Sequence, residues 1–195
     1  MRAGGQEDGG DVASQRPPSP WVVRFLGLMP PGAQVLDIAC GAGRHFAPVL
    51  AQGGTVVGID RDISVARDRW SGNSAVSLVA ADLECGAPPP FRGQVRDGVI
   101  VTNYLWRPLL ADIVGAVDEA GVLIYETFAL GQERLGRPRN PEFLLRPGEL
   151  LDAVAGRLHV VAYEHVRLSA PDRIVQRIAA VGLRHPAVQD GGPAF

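Results

Sequence analysis

Lysine is missing from this chain: all 19 of its Lys+Arg residues are arginine. Guanidinium stays protonated and is not nucleophilic, so Schiff-base chemistry and the lysine of a phosphate-binding P-loop are both excluded. Cysteine is scarce too. Cys40 and Cys85 have no C-x-x-C spacing and no clustered histidines, which argues against structural zinc, and His159, His165 and His185 lie apart without metal-ligand spacing. Nowhere do about 18 apolar residues run together, and no basic stretch followed by an apolar one opens the chain, so it reads as a cytoplasmic protein without a membrane partner. The formal net charge is only −2, and no global excess of positive charge points to nucleic acid.

What is present suits one globular domain: 195 residues, 46% hydrophobic and 21% charged. Small and polar residues dominate 1–18 and the end of the chain, so the expected domain is 19–185, between flexible tails at 1–18 and 186–195. Ser19 followed by Pro20 fits a helix N-cap with proline at the first helical position, and Trp21, Phe25 and Leu28 then recur on one face until Pro30-Pro31. Beyond it, apolar runs of strand length alternate with helical patterns. QVLDI, TVVGID and VSLVAAD are strands, with helices through HFAPVLAQ and SVARDRW between them. DGVIVTNYL and GVLIYETF follow, joined by a helix through PLLADIVGAVDEA, then a helix through PGELLDAVAG and two strands near HVVAYEHVRL and RIVQRIAAVGL. The early strands are almost continuously apolar, as strands buried on both faces of a parallel sheet are. The last two have no helix between them and must pair as an antiparallel hairpin at one edge. The expected fold is therefore α/β, a Rossmann-like sheet of seven mostly parallel strands with helices on both faces, whose ligands sit outside the carboxyl ends of the strands.

The first strand ends in VLDIACGAGRH, where Gly41 and Gly43 let main chain approach a bound group and the following helix offers free N–H groups to an anion. A dinucleotide fingerprint started at Gly41 requires a small residue at position 46, where this chain has Phe46. Asp37 before the loop and Ala39 within it resemble instead the first motif of the class I S-adenosylmethionine-dependent methyltransferases, VLDxGxGxG, with alanine at the first glycine. Asp60 closes the second strand, where a carboxylate accepts from ribose hydroxyls. Asp82 closes the third and Asn103 the fourth, so four strand ends agree in order. More narrowly, SPWVVRF, DIACGAGRH, VTNYLWRPLL and YETFALGQERLGRPRNPEFLLRPGEL look like the small single-domain methyltransferases of the tellurite-resistance type.

The resemblance implies S-adenosylmethionine as cofactor, bound by Asp37, Ala39, Gly41, Gly43, Asp60, Arg61, Asp82, Leu83 and Asn103, with Asp82 receiving the adenine amino group. His45, in the first turn after the loop, is expected to face the methionine end or the substrate. Glu126 and Tyr104 are the catalytic candidates, lying at the ends of the fifth and fourth strands. Arg107, Arg137 and Arg139 are expected at the substrate; the segment RLGRPRNPEFLLR would cover the mouth of the site, and guanidinium binds carboxylate or phosphate bidentately. Cys40 reads as a packing residue. Positions 104 and 105 are Tyr and Leu rather than the two prolines of an NPPY motif, which argues against base-amino methylation. The expected reaction is in-line methyl transfer to a small acceptor, anionic or a thiol or metalloid, without a metal. RNA or protein as acceptor, or a non-catalytic cofactor-binding protein on the same fold, are the alternatives.

Overall fold

The computed structural model describes residues 16–189. Helix α1 (Pro20–Phe25) leads through one 3₁₀ turn to β1 (Gln34–Ile38), α2 (Phe46–Ala51), β2 (Thr55–Asp60), α3 (Ser64–Trp70) and β3 (Val76–Ala80). The second half holds β4 (Arg96–Thr102), α4 (Leu110–Gly115), β5 (Val117–Phe128), α5 (Glu149–Val154), β6 (Leu158–Leu168), β7 (Arg173–Gly182) and a last short helix, α6 (Pro186–Gln189). All seven strands form one sheet in the order β3-β2-β1-β4-β5-β7-β6. β1 to β5 are parallel, and β7 enters antiparallel between β5 and the edge strand β6. The chain moves outward from β1 to β3 and then returns to β4, so the direction reverses between β1 and β4. That reversal opens a crevice at their carboxyl ends.

The sheet is apolar on both faces. Val99, Val101, Leu123 and Tyr125 join Leu36, Ile113 and Leu150 in one core layer, whereas Ile100, Val122 and Ile124 join Trp21, Phe25 and Phe46 in the other. Period-2 alternation thus supplies two cores from the same strands. Helix α1 starts as its sequence directs: Ser19 Oγ accepts from the Trp21 amide at 3.2 Å, and Met29, before Pro30, is extended. Trp21 anchors the helix by donating from Nε1 to the Ile178 carbonyl at 3.2 Å.

Two expectations change. The helix through PLLADIVGAVDEA ends at Gly115, and Val117 already belongs to β5. Asp118 Oδ1 accepts from the Ala120 amide at 3.0 Å, and a Cβ at Gly121 would stand 2.7 Å from the Arg96 carbonyl, so the chain turns tightly where the helical pattern continues. The stretch 186–195 opens with α6 rather than a tail, held by the buried His185, whose ring lies 2.9 Å from the Leu28 carbonyl; residues 190–195 lie outside the described residues. Of the expected tail at 1–18, residues 1–15 also lie outside them. Among the described residues no helix is long and apolar enough to cross a membrane.

Candidate active site

The loop after β1 is built from left-handed backbone. Ala39, Gly41 and Gly43 have φ of 55°, 54° and 70°. At Gly43 a Cβ would lie 2.6 Å from the Phe46 ring and 2.7 Å from Trp70 Nε1, and at Gly58 it would lie 2.4 Å from Phe46 again. The two glycines thus make room for the aromatic residue that breaks the dinucleotide fingerprint. Trp70 Nε1 donates to the Ala42 carbonyl at 3.2 Å and closes the clamp from α3. Asp60 at the end of β2 ties the loop to its neighbour, since Oδ2 accepts from the Gly41 amide at 2.8 Å and Oδ1 from the Asp62 amide at 3.1 Å.

Two cavities of about 410 and 340 Å³ adjoin this loop and share Ala39 and Asp60. Gly41, Arg44, Asp62, Thr102 and Asn103 line the first; Arg61, Ala81, Leu83, Glu84 and Tyr104 line the second. Tyr104 Oη is buried without a hydrogen-bond partner, so the second cavity has an unanswered polar atom on its wall. Burial, and then the carboxylates Glu84, Asp82 and Asp60, raise the Tyr104 pKa, which keeps the phenol neutral as a donor rather than a base. Tyr125 Oη donates to the Tyr104 carbonyl at 2.9 Å and holds that turn in place. Asn103, with φ of 56°, lines the first cavity and two more, of about 440 and 500 Å³.

Several expected site residues lie elsewhere. Asp37 is 1% exposed, beneath the loop, and its Oδ2 is 3.4 Å from His45 Nδ1. His45 is buried as well, and its Nε2 accepts from the Ser19 amide at 3.3 Å, which assigns the proton to the nitrogen facing Asp37. His45 ties the loop to the start of α1, whereas both oxygens of Asp37 are buried without a hydrogen-bond partner, with His45 at 3.4 Å as the facing donor. Asp82 is exposed and caps its own turn, Oδ1 accepting from the Glu84 amide at 2.9 Å, while Glu84 stands on the wall of the second cavity. Gly43 serves packing rather than the wall.

Glu126 is fully buried and is the centre of an ion-pair cluster. It accepts from Ser19 Oγ at 3.0 Å and lies 3.4 Å from Arg177 and 3.7 Å from Arg173, while Arg177 also holds Glu164 at 2.6 Å. A carboxylate so enclosed holds cations in place and is not free to act as a base. Arg107 points into the protein: it grips both Glu149 oxygens, at 2.7 and 3.0 Å, and donates to the carbonyls of Glu142 and Leu144. In place of the expected contact with substrate, these bonds fasten the segment 142–149 onto the 3₁₀ turn between β4 and α4. Arg139 is exposed, and only Arg137 of the expected substrate arginines reaches a cavity wall. Cys40, buried in the core and on the wall of the first cavity, has its thiol pKa raised by burial and then by Asp37 and Asp60.

Arg44, Asp62, Glu84, Thr102 and Arg173 line the cavities without being among the residues expected there. Arg44 stands inside the quoted motif GRH, next to a more conspicuous histidine; its Nη2 donates to Thr102 Oγ1 at 3.1 Å and its Nη1 to the Pro17 carbonyl at 3.4 Å. Burial lowers the Arg44 pKa, against the opposing pull of Glu126 and Asp37. Arg173 lies in a late strand, and no local pattern marks it. Among the described residues no group of three or more His, Cys, Asp and Glu is arranged to hold a metal.

Strand order, the reversal between β1 and β4, the glycine turn and the carboxylate closing β2 together define the fold of the class I S-adenosylmethionine-dependent methyltransferases. Comparison with known proteins agrees. A TehB-like S-adenosylmethionine-dependent methyltransferase from Corynebacterium glutamicum superposes with a TM-score of 0.60 at 19% identity, over 83% of this chain and 87% of that one. The N-methyltransferase NodS from Bradyrhizobium japonicum does so with a TM-score of 0.62 at 17% identity, over 82% and 92%. In sequence, the ribosomal RNA small subunit methyltransferase H of Myxococcus xanthus is 34% identical over 93 residues, 48% of this chain. That match spans 24% of the relative's length. No family model matches the chain.

Proposed function

We propose that this protein is an S-adenosylmethionine-dependent methyltransferase acting on a small-molecule acceptor. The observation that carries the reading is the pair of adjoining cavities that share Ala39 and Asp60 at the carboxyl ends of the strands. The residues fit the cofactor. Asp60 keeps acceptor capacity beyond its two amide bonds for ribose hydroxyls, Ala81, Leu83 and Tyr104 offer an apolar slot with one free phenol for the base, and Asn103 stands at the junction of three cavities. When bound, the cofactor supplies an electrophilic methyl on a sulfonium.

The chain's own part is alignment and exclusion of water, because in-line displacement at a methyl carbon requires little else. Glu126 and His45 are buried and engaged, and Tyr104 is held neutral, so none of them takes a proton at the junction. This favours an acceptor that arrives ionised, such as a thiol, a selenol or a metalloid oxyanion, over an alcohol or an ammonium. A ribosomal RNA acceptor, suggested by the partial match to the Myxococcus enzyme, is the second reading.

Calorimetric titration with S-adenosylmethionine, S-adenosylhomocysteine and NAD tests the proposal. Both adenosyl ligands are expected to bind and NAD is not. Asp60→Ala removes charge-assisted hydrogen bonds of about 1.5–3 kcal/mol, roughly a ten- to hundredfold loss in affinity. Absence of adenosyl binding would sink the reading, and radiolabelled methyl entering RNA rather than the small-molecule fraction would favour the alternative.

A further inference from the structure

The cavity of about 500 Å³ lies between residues 16–20, the end of β5, the loop at Gln132 and Arg137, and the turn from β6 to β7. It meets the cofactor-side cavity along Arg16, Arg44 and Asn103. Its walls divide by chemistry. Arg16, Arg44, Arg137 and Arg173 give it four guanidinium groups, and the one carboxylate on its lining, Asp172, is taken up by a two-pronged pair with Arg167. Pro18, Pro171 and Phe128 make the rest largely apolar.

Two of the arginines stand ready for an anion. Arg137 has no ion-pair partner among the described residues. Arg173 lies 3.7 Å from Glu126, a contact too long for a hydrogen bond, and its Nε is buried with no partner. Arg177 is held by Glu164 at 2.6 Å and Glu126 answers Arg173 only at long range, so the positive character of the cavity comes from Arg16, Arg44 and Arg137 together with the loosely held Arg173. One amide side chain couples the two: Gln132, 4% exposed, donates from Nε2 to the Arg137 carbonyl at 3.1 Å and accepts at Oε1 from the amide of Ile174, the residue after Arg173, at 2.8 Å.

We propose that this cavity is the acceptor site and that it takes a small organic anion, its carboxylate or phosphate held between Arg137 and Arg173 and its apolar body laid against Phe128 and Pro171, with the methylated atom at Asn103. The inference rests on the methyltransferase reading for the word acceptor and on the cavity alone for the anion. The volume exceeds the needs of an inorganic oxyanion and falls within the range of small-molecule sites. Paired guanidinium groups in a part-buried setting match planar carboxylate or phosphate oxygens.

The test is calorimetry on the full chain with benzoate, phenyl phosphate, benzyl alcohol and selenite as probes, and separately with S-adenosylhomocysteine. The two organic anions are expected to bind and benzyl alcohol to bind at least about tenfold more weakly, the least that loss of a charge-assisted contact brings. Arg137→Gln, on an exposed loop, is expected to weaken both anions by about tenfold or more while the affinity for S-adenosylhomocysteine stays the same, and Gln132→Leu to act in the same direction. Equal binding of the alcohol, no effect of Arg137→Gln, or binding of selenite alone would overturn the proposal. Anion binding without S-adenosylhomocysteine binding would instead remove the methyltransferase reading and the acceptor role with it, leaving an anion site.

Discussion

Glu126→Gln separates a structural carboxylate from a catalytic one. The substitution keeps the shape and leaves Oε1 able to accept from Ser19 Oγ, but it withdraws the charge that Arg173 and Arg177 face at 3.7 and 3.4 Å. Breaking a buried pair from one side costs about 3–5 kcal/mol. Here both contacts are long, and Arg177 retains Glu164 at 2.6 Å, whereas Arg173 loses its one acidic partner among the described residues. The expected loss of stability is therefore nearer 2–3 kcal/mol. For a domain of this size that lowers the melting temperature by about 5–10 °C, readable by thermal or denaturant unfolding. Well below the new midpoint, binding of S-adenosylhomocysteine is expected to be unchanged and methyl transfer to fall by less than about tenfold, a change of 1.4 kcal/mol in the barrier. Wild-type stability with activity reduced a thousandfold would refute the structural assignment and return Glu126 to the chemistry.

Other substitutions probe the loop and the fastening of the 142–149 segment. Gly43→Ala places a Cβ against Phe46 and Trp70 at a φ of 70°, so overpacking and backbone strain together are expected to remove about 2–4 kcal/mol, measured by urea unfolding. Arg107→Ala strips four hydrogen bonds from Glu149 and two carbonyls and is expected to cost about 2–4 kcal/mol while leaving acceptor KM unchanged in the folded enzyme; a raised KM at full stability would restore Arg107 to the substrate. Burial by itself would raise the Glu149 pKa, but hydrogen bonds from Arg107, the Arg146 amide and the Arg146 side chain outweigh it and hold the carboxyl below the usual range. Its contribution to stability is present above the unfolded pKa and is lost as pH falls through the lower folded value, so unfolding free energy should drop on acidification below about pH 4.3. Glu149→Gln should flatten that part of the stability-against-pH curve.

Local pattern was enough for the elements that depend on near neighbours. QVLDI and TVVGID are β1 and β2 to the residue, because an apolar run long enough to be buried on both faces between turn residues has few other places to go. Ser19 as N-cap, the missing helix between β6 and β7, and the glycine turn were legible for the same reason. VDEA was misread since it continues a helical pattern, and the close approach of Gly121 to Arg96 lies outside any local window. Which polar side chains face the cleft was a different question. Asp37 and Asp60 both stand near strand ends in the sequence, yet Asp37 lies inside β1, level with Gly58 and buried against His45, whereas Asp60 closes β2 and opens onto two cavities. Arg107 reaches Glu149 across 42 positions, Ser19 meets Glu126 across 107, and Arg173 comes to stand beside the segment bearing Arg137 only when β7 enters between β5 and β6. A carboxylate at a strand end is specified by its own few residues, but whether it finds a cation, a cap or open space is decided by charges brought to it from the rest of the chain, and those arrive only with the tertiary fold.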